Sequence, residues 1–342
     1  MTMIARKIKR YANFFKHIVV VFSLLLASGC SLFHGASILE DHRFEVALAV
    51  SNSTNEVTVA FLGVTTLLFT DGETTLMTDG FFSRPKMSAI ILDKKIEPNK
   101  KRIADSLLEW NIENLDALLV GHSHFDHAMD VAEVAIQTEA LVLGSESTRK
   151  IALGGNLPPE QVYVVKAGRP MSFGKFTVTF YKSKHFPLKI RRSKLLGTAI
   201  DKPLIPPARV SDYAEGQTYS ILIEHPQGNA IVQPSAGYLV GALDNIRADV
   251  VFLGIATPFR SDTDYIDSYW NNVVKATGAK RVLPIHWDNP AHPLSTQLRT
   301  TPLIFDNVLA TLLQLVKNGK AEGRRVELLP VGQPVALFDL VQ

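Results

Sequence analysis

The chain has 342 residues, 46% of them hydrophobic, with a formal net charge of +3 and a single cysteine. That length and apolar content suffice for a sizeable core and exclude a low-complexity or disordered polymer. One cysteine excludes an internal disulfide framework.

The positive charge is concentrated at the start. Arg6, Lys7, Lys9, Arg10 and Lys16 lie in a segment without acids, an apolar run over residues 18–27 follows, and Ala27-Ser28-Gly29-Cys30 closes it. Basic, apolar and small-residue regions in that order read as a secretory signal over residues 1–29. The apolar run is short of the ~20 residues that span a bilayer. Its end resembles the lipobox of bacterial lipoproteins, with Ala27 where leucine is more usual. The resemblance implies acylation of Cys30 (palmitate), a membrane partner through the lipid anchor, and a place on the periplasmic face of the bacterial cell envelope. Ser31 after the cysteine points to the outer membrane. A plain cleaved signal and a retained anchor are the alternatives. Without the five basic residues the formal charge falls to about −2, which argues against nucleic acid as a partner.

Residues 30–54 read as a tether and lead-in. Residues 57–69 are strand-like, Asp71-Gly72 is a turn, and residues 74–78 form the returning strand. The pattern then predicts a helix over 102–110, a strand over 115–120, a helix over 131–138 and a strand over 140–143. Further strands are expected over 162–165 and 176–181, with a hairpin of 218–224 and 229–233 around Pro226-Gln227-Gly228. A buried strand over 250–254, a helix over 265–275, a strand over 281–285 and a closing helix over 304–317 follow. Terminal strands are expected over 327–329 and 333–340. Strands alternating with helices place chemistry at strand C-termini in an α/β fold.

The run His122-Ser123-His124-Phe125-Asp126-His127 directly follows the apolar Leu118-Leu119-Val120. Alternate residues of an extended segment point the same way, so His122 and His124 can face one ion. Asp126 and His127 fall where a turn into a helix aims them at a neighbouring ion. Zinc accepts imidazole nitrogen and carboxylate oxygen and, in catalytic sites, keeps a position for water. A polar surface loop is the bland alternative, but three histidines and an aspartate in six residues outweigh it. His17, His34, His42 and His225 stand alone and read as surface or locally hydrogen-bonded residues.

This HxHxDH run resembles the signature of the metallo-beta-lactamase superfamily. Phe61-Leu62-Gly63-Val64-Thr65 and Leu76-Met77-Thr78-Asp79-Gly80-Phe81-Phe82 resemble the branch containing ascorbate-6-phosphate lactonase and the phospholipase D that cleaves N-acylphosphatidylethanolamine. The resemblance implies an α/β fold, a four-layer αββα sandwich, for a hydrolase domain over residues 55–342. It implies His122, His124 and His185 as ligands of a first ion, and Asp126, His127 and His286 as ligands of a second. The ions expected are one or two zinc, with manganese the alternative. Asp126 doubles as a catalytic residue that orients the nucleophile, and Asp79 is a supporting carboxylate. The implied reaction is attack of metal-activated water on an ester, lactone or phosphodiester, with a small-molecule or lipid-like substrate.

One position departs from the family. A bridging aspartate normally lies in a Gly-Asp-Thr/Ser-Gly segment, and here that stretch is Pro234-Ser235-Ala236-Gly237-Tyr238. Neutral Ser235 is a poor zinc ligand. Two ions bridged only by hydroxide, one firm ion with one loose, and an inactive site are the outcomes open. A non-catalytic or single-metal envelope binding protein is therefore the alternative function.

On either side of His185, Lys182, Lys184, Lys189, Arg191, Arg192 and Lys194 cluster, interleaved with Leu188, Ile190 and Leu195. A cationic lid for phosphate or carboxylate, a contact with anionic headgroups and a solvated loop are three readings of it. Arg191 and Arg192 are candidate substrate contacts, Trp287 a candidate pocket wall, and His292 a candidate acid or donor. Oligomeric state has no signal in the sequence.

Overall fold

The computed structural model describes residues 35–50, 56–187, 198–257, 262–294 and 297–338. The chain enters through β1 (Glu45–Val46), then β2 (Thr58–Phe61), β3 (Leu67–Thr70) and β4 (Thr75–Thr78). Helix α1 (Met87–Ile91), β5 (Lys95–Ile96), α2 (Lys100–Glu109), β6 (Ala117–Leu119), α3 (Phe125–Ala128) and α4 (Val131–Thr138) follow. Next come β7 (Leu141–Gly144), α5 (Glu146–Gly154), β8 (Val162–Val164), β9 (Met171–Phe173), β10 (Phe176–Lys182) and β11 (Ala208–Arg209). The remainder is β12 (Tyr219–His225), β13 (Gly228–Gln233), β14 (Val250–Gly254), α6 (Thr263–Trp270), β15 (Arg281–Ile285), α7 (Val308–Glu322), β16 (Arg325–Leu328) and β17 (Pro334–Ala336).

Two mixed sheets result. One has the order β17-β2-β3-β4-β6-β7-β8, the other β1-β16-β15-β14-β13-β12-β10-β9. Side-chain alternation along the first sheet explains the layering. Leu76, Leu119 and Leu143 point into the core shared with the second sheet. Their neighbours Met77, Leu118 and Val142 point the other way, onto Ile103, Leu107, Val134 and Ile151 of the helices. Helices α6 and α7 cover the far face of the second sheet, with Ile266, Trp270, Leu312 and Leu315 in its core. This is the four-layer αββα sandwich expected from sequence.

Helix boundaries have local causes. Asn99 caps α2 by accepting from Arg102 N at 3.0 Å, and Ser145 and Thr148 form a reciprocal cap at α5. Helix α7 starts four residues later than the predicted 304, because residues 302–306 form turns on Pro302 O and the Asn307 side chain accepts from Ala310 N. It ends at Gly323, which adopts φ +65°. Helix α5 is absent from the predicted elements; it buries Ser147, Thr148, Ile151, Ala152 and Gly154, a face with little apolar contrast to read.

The stretch 57–69 is a hairpin and not one strand. Gly63 at φ +88° and Val64 at φ +52° turn the chain, and Leu62 N donates to Thr66 O. Residues 35–50, read as tether, pack into the fold. Ile38 and Phe44 are buried in the inter-sheet core, and β1 runs parallel to β16.

Among the described residues no helix is long and apolar enough to cross a membrane. Helix α7, at 15 residues, is short of the ~20 that span hydrocarbon. The expected membrane partner, and with it the lipoprotein and palmitate reading, is corrected on that finding. Cys30 and the 1–29 segment lie outside the described residues.

Candidate metal centre

Every residue of the centre lies beyond the C-terminal end of a strand. Strand β6 delivers His122 through Gly121, whose missing side chain lets the Pro234 ring pack close; a Cβ there would lie 2.3 Å from Pro234 Cγ. Strand β4 runs parallel to β6 and delivers Asp79 beside it. The Asp79 carboxylate accepts from Gly121 N at 2.9 Å, so it braces the loop that carries the histidines.

His124 is the last extended residue before α3, and its carbonyl accepts from His127 N and Ala128 N. That turn places Asp126 and His127 on the first turn of a short helix. His185 follows β10, and His286 follows β15 at φ +57°.

The predicted residues converge in two groups, His122 with His124 and His185, and Asp126 with His127 and His286. Within each group the potential ligand atoms lie within 4.8 Å of one another. In the first, His122 Nε2 is 3.1 Å from His124 Nδ1, and the His185 ring centroid lies 4.8 and 4.6 Å from those of His122 and His124. In the second, His286 Nε2 is 3.2 Å from His127 Nε2 and 3.4 Å from Asp126 Oδ2. The groups adjoin: the His122 and His127 ring centroids are 3.8 Å apart.

Hydrogen bonds orient two of the rings. His127 Nδ1 lies 2.8 Å from Asp79 Oδ2, which turns Nε2 toward the cleft. Thr65 Oγ1 also donates to that carboxylate oxygen. His185 Nδ1 donates to Phe186 O at 2.8 Å, which frees its Nε2. Hydrogen assignments of this kind follow from the partners, since only a donor satisfies a carbonyl.

Burial sets the charges. It pushes the His122 and His185 imidazoles well below their ordinary pKa, helped by the neighbouring rings, so both are neutral. Burial alone would raise the Asp126 carboxyl, but His127 and His286 overcome it and hold the group far below the usual carboxylate range. Burial also opposes protonation of His127, yet Asp79 and Asp126 lift it above its ordinary value. Neutral imidazoles and an ionised carboxylate fit a divalent ion that takes nitrogen and oxygen donors. The two clusters thus have the make-up of a metal-dependent hydrolytic active site.

Ser235 sits at the seam between the His122 and His185 loops. Its Oγ accepts from Phe186 N at 3.0 Å and so braces the residue next to His185. Gln233, fully buried at the end of β13, donates to Ser183 Oγ, Ser235 O and Gly237 O. Sequence reading passes over Gln233 and Thr65; only the oddity of a glutamine ending the apolar Ala230-Ile231-Val232 marks the former.

One candidate departs from its reading. Trp287 is fully buried, its ring 5.8 Å from that of Phe61, so it offers no surface to a substrate. His292 is half-buried, with Nδ1 on Pro293 O at 3.0 Å. Arg191 and Arg192 lie outside the described residues. His42 is exposed and His225 is locally hydrogen-bonded, both as expected: His225, buried, accepts from Gln227 N at 3.2 Å through Nδ1, with Nε2 3.5 Å from Asp71 Oδ2.

A four-layer sandwich with paired His/His/His and Asp/His/His clusters at the strand ends defines a class of metallohydrolase architecture. The chain belongs to the metallo-beta-lactamase superfamily, which its sequence matches over residues 59–284. No curated protein matches it by sequence. Among solved structures, the isothiocyanate hydrolase from Delia radicum gut bacteria is similar at 11% identity, over 82% of this chain and 99% of that one, with a TM-score of 0.50. The diiron beta-hydroxylase CmlA from Streptomyces venezuelae is similar at 15% identity, over 84% of this chain and 55% of that one, with a TM-score of 0.51. Igni18, a metallo hydrolase from Ignicoccus hospitalis, has 13% identity over 82% of this chain and 98% of that one, with a TM-score of 0.49.

Proposed function

We propose that this protein is a zinc- or manganese-dependent hydrolase of an ester, lactone or phosphodiester. The observation that carries the reading is the convergence of His122, His124 and His185 beside Asp126, His127 and His286. Divalent ions held there supply Lewis acidity and a water of lowered pKa. Asp126, ionised and facing both clusters, holds and orients the nucleophile through its carboxylate. Asp79 and Phe186 O keep the His127 and His185 rings turned toward the cleft. Ester, lactone and phosphodiester hydrolysis share an oxyanion-forming step, which cationic groups stabilise. The lactonase and phospholipase D branch rests on residues 61–65 and 76–82, which build the first hairpin and the Asp79 loop.

Fold alone does not choose the chemistry, and the similar structures include both a hydrolase and a diiron hydroxylase. Ser235 supports a second reading, in which one ion is held firmly and the other loosely. Its Oγ is engaged with Phe186 N and no carboxylate stands in its place. Metal analysis of the purified protein should find about one to two zinc or manganese ions per chain. Turnover of a panel of the three substrate classes should fall roughly 100-fold or more in His124→Ala and His286→Ala. Absence of bound metal, or full turnover in both variants, would sink the hydrolase reading. A gain of a second ion in Ser235→Asp would favour the single-ion state of the natural chain.

A further inference from the structure

The two histidines of the Asp126 cluster are held in different ways. His127 has its second ring nitrogen on Asp79. His286 has no such support: its Nδ1 is buried without a hydrogen-bond partner among the described residues. Yet its Nε2 meets His127 and Asp126 at 3.2 and 3.4 Å. Something other than a ring hydrogen bond must aim it.

The backbone does so through a closed loop of bonds. His286 N donates to Val64 O at 2.6 Å. Val64 N donates to Asp288 Oδ1 at 2.6 Å. Asp288 Oδ2 pairs with Arg84 Nη1 at 2.7 Å, and both side chains are fully buried. Arg84 Nη1 also donates to Asn289 O at 3.2 Å. The Arg84 guanidinium lies 5.3 Å from the centre of the Phe81 ring, which packs edge-on to Phe125, the residue before Asp126. Gly63 makes the approach possible, because a Cβ there would lie 2.1 Å from Arg84 Nη2.

The loop of bonds is under conformational load. His286, Val64 and Arg84 have φ of +57°, +52° and +48°. L-residues avoid that region, β-branched valine most of all. Residues held so at a site are over-determined by their surroundings. Here the over-determination runs through one carboxylate, Asp288, which joins the His286 turn to the Val64 turn and to Arg84.

We propose that Asp288, held by Arg84, is the positioning residue for His286 and selectively sets the affinity of the second ion. The proposal rests on reading Asp126, His127 and His286 as an ion site. Its test compares the wild type with Asp288→Asn, using zinc competition against a chelator and amide hydrogen exchange of the metal-free protein. Zinc should keep its wild-type affinity at the His122 cluster while the dissociation constant of the second ion rises about tenfold or more. In the metal-free variant the His286 amide should exchange faster, with β12 and β13 unchanged.

Asp288→Asn strands a buried charge on Arg84 and can cost the fold. The double variant Arg84→Met with Asp288→Leu removes both charges and should show the same selective loss. Wild-type affinity for the second ion with unchanged His286 exchange would overturn the proposal. So would equal weakening of both ions, or failure of both variants to fold, since each assigns the pair to stability alone. A wild type that binds no zinc refutes the ion-site reading instead, and the exchange comparison then decides the positioning role by itself.

Discussion

His122 and His127 lie almost in contact and are both buried, yet their pKa values move in opposite directions. His122 has only other imidazoles around it, so desolvation and its neighbours drive it neutral. His127 faces the same desolvation, but two carboxylates reverse the outcome. A partner within hydrogen-bonding distance decides the sign. Asp306 shows the opposite case in a carboxylate. It is buried beside Thr257, whose N and Oγ1 donate to it at 2.8 and 3.2 Å, and burial outweighs these bonds and pushes it up to about 7. An acid raised on folding binds more protons in the folded state, so its stabilisation is full below pH ~4 and is lost as pH rises toward about 7. That loss is on the order of 4 kcal/mol. Asp130, raised by burial to about 6, acts in the same direction. Asp306→Asn should flatten the fall in unfolding free energy between pH 5 and pH 8. An unchanged slope in denaturant titrations at the two pH values would rule this out.

Strands and turns divide the work. Parallel strands bring their C-terminal ends to one edge, and the turns beyond them aim the side chains. The His185 turn depends on a glycine in a different element: a Cβ on Gly237 would meet Lys184 O at 2.2 Å and His185 C at 2.3 Å. Gly237→Ala must therefore displace the His185 loop, at a cost of about 1–3 kcal/mol for overpacking. Zinc at the His122 cluster should weaken while the His286 cluster keeps its affinity, because Gly237 packs on the His185 loop. Equal affinities for both ions in this variant and the wild type would show that the loop tolerates the shift.

The clusters draw on both sheets. His122, His124, Asp126 and His127 come from the edge of the first, while His185 and His286 come from the second. Each ion would join one sheet to the other, adding to the apolar core and to the His286–Val64 and Arg84–Asp288 links between them. Ligands that bind only the folded chain stabilise it by mass action, by about 2.7 kcal/mol per site at a hundredfold excess over the dissociation constant. Chelation should lower the melting temperature by several degrees, as expected for a domain of roughly this size. Calorimetry before and after chelator treatment checks this, and identical melting curves would argue that no ion links the sheets.

The sandwich was legible because apolar alternation and strand–helix order are local signals. HxHxDH was legible because four of the six clustering residues sit in one short run. His185 and His286 became legible only through family resemblance, since a lone histidine after a strand carries no spacing signal. Long-range packing could not be read at all. It buried Trp287 behind Phe61, engaged Ser235 with Phe186 N, and paired Arg84 with Asp288 across 204 residues. Sequence alone settled the periodicity, the superfamily and the ligand types, because these depend on neighbouring residues. The folded chain alone settled which side chains meet, which are buried and what charge they carry, because those depend on residues brought together from distant turns.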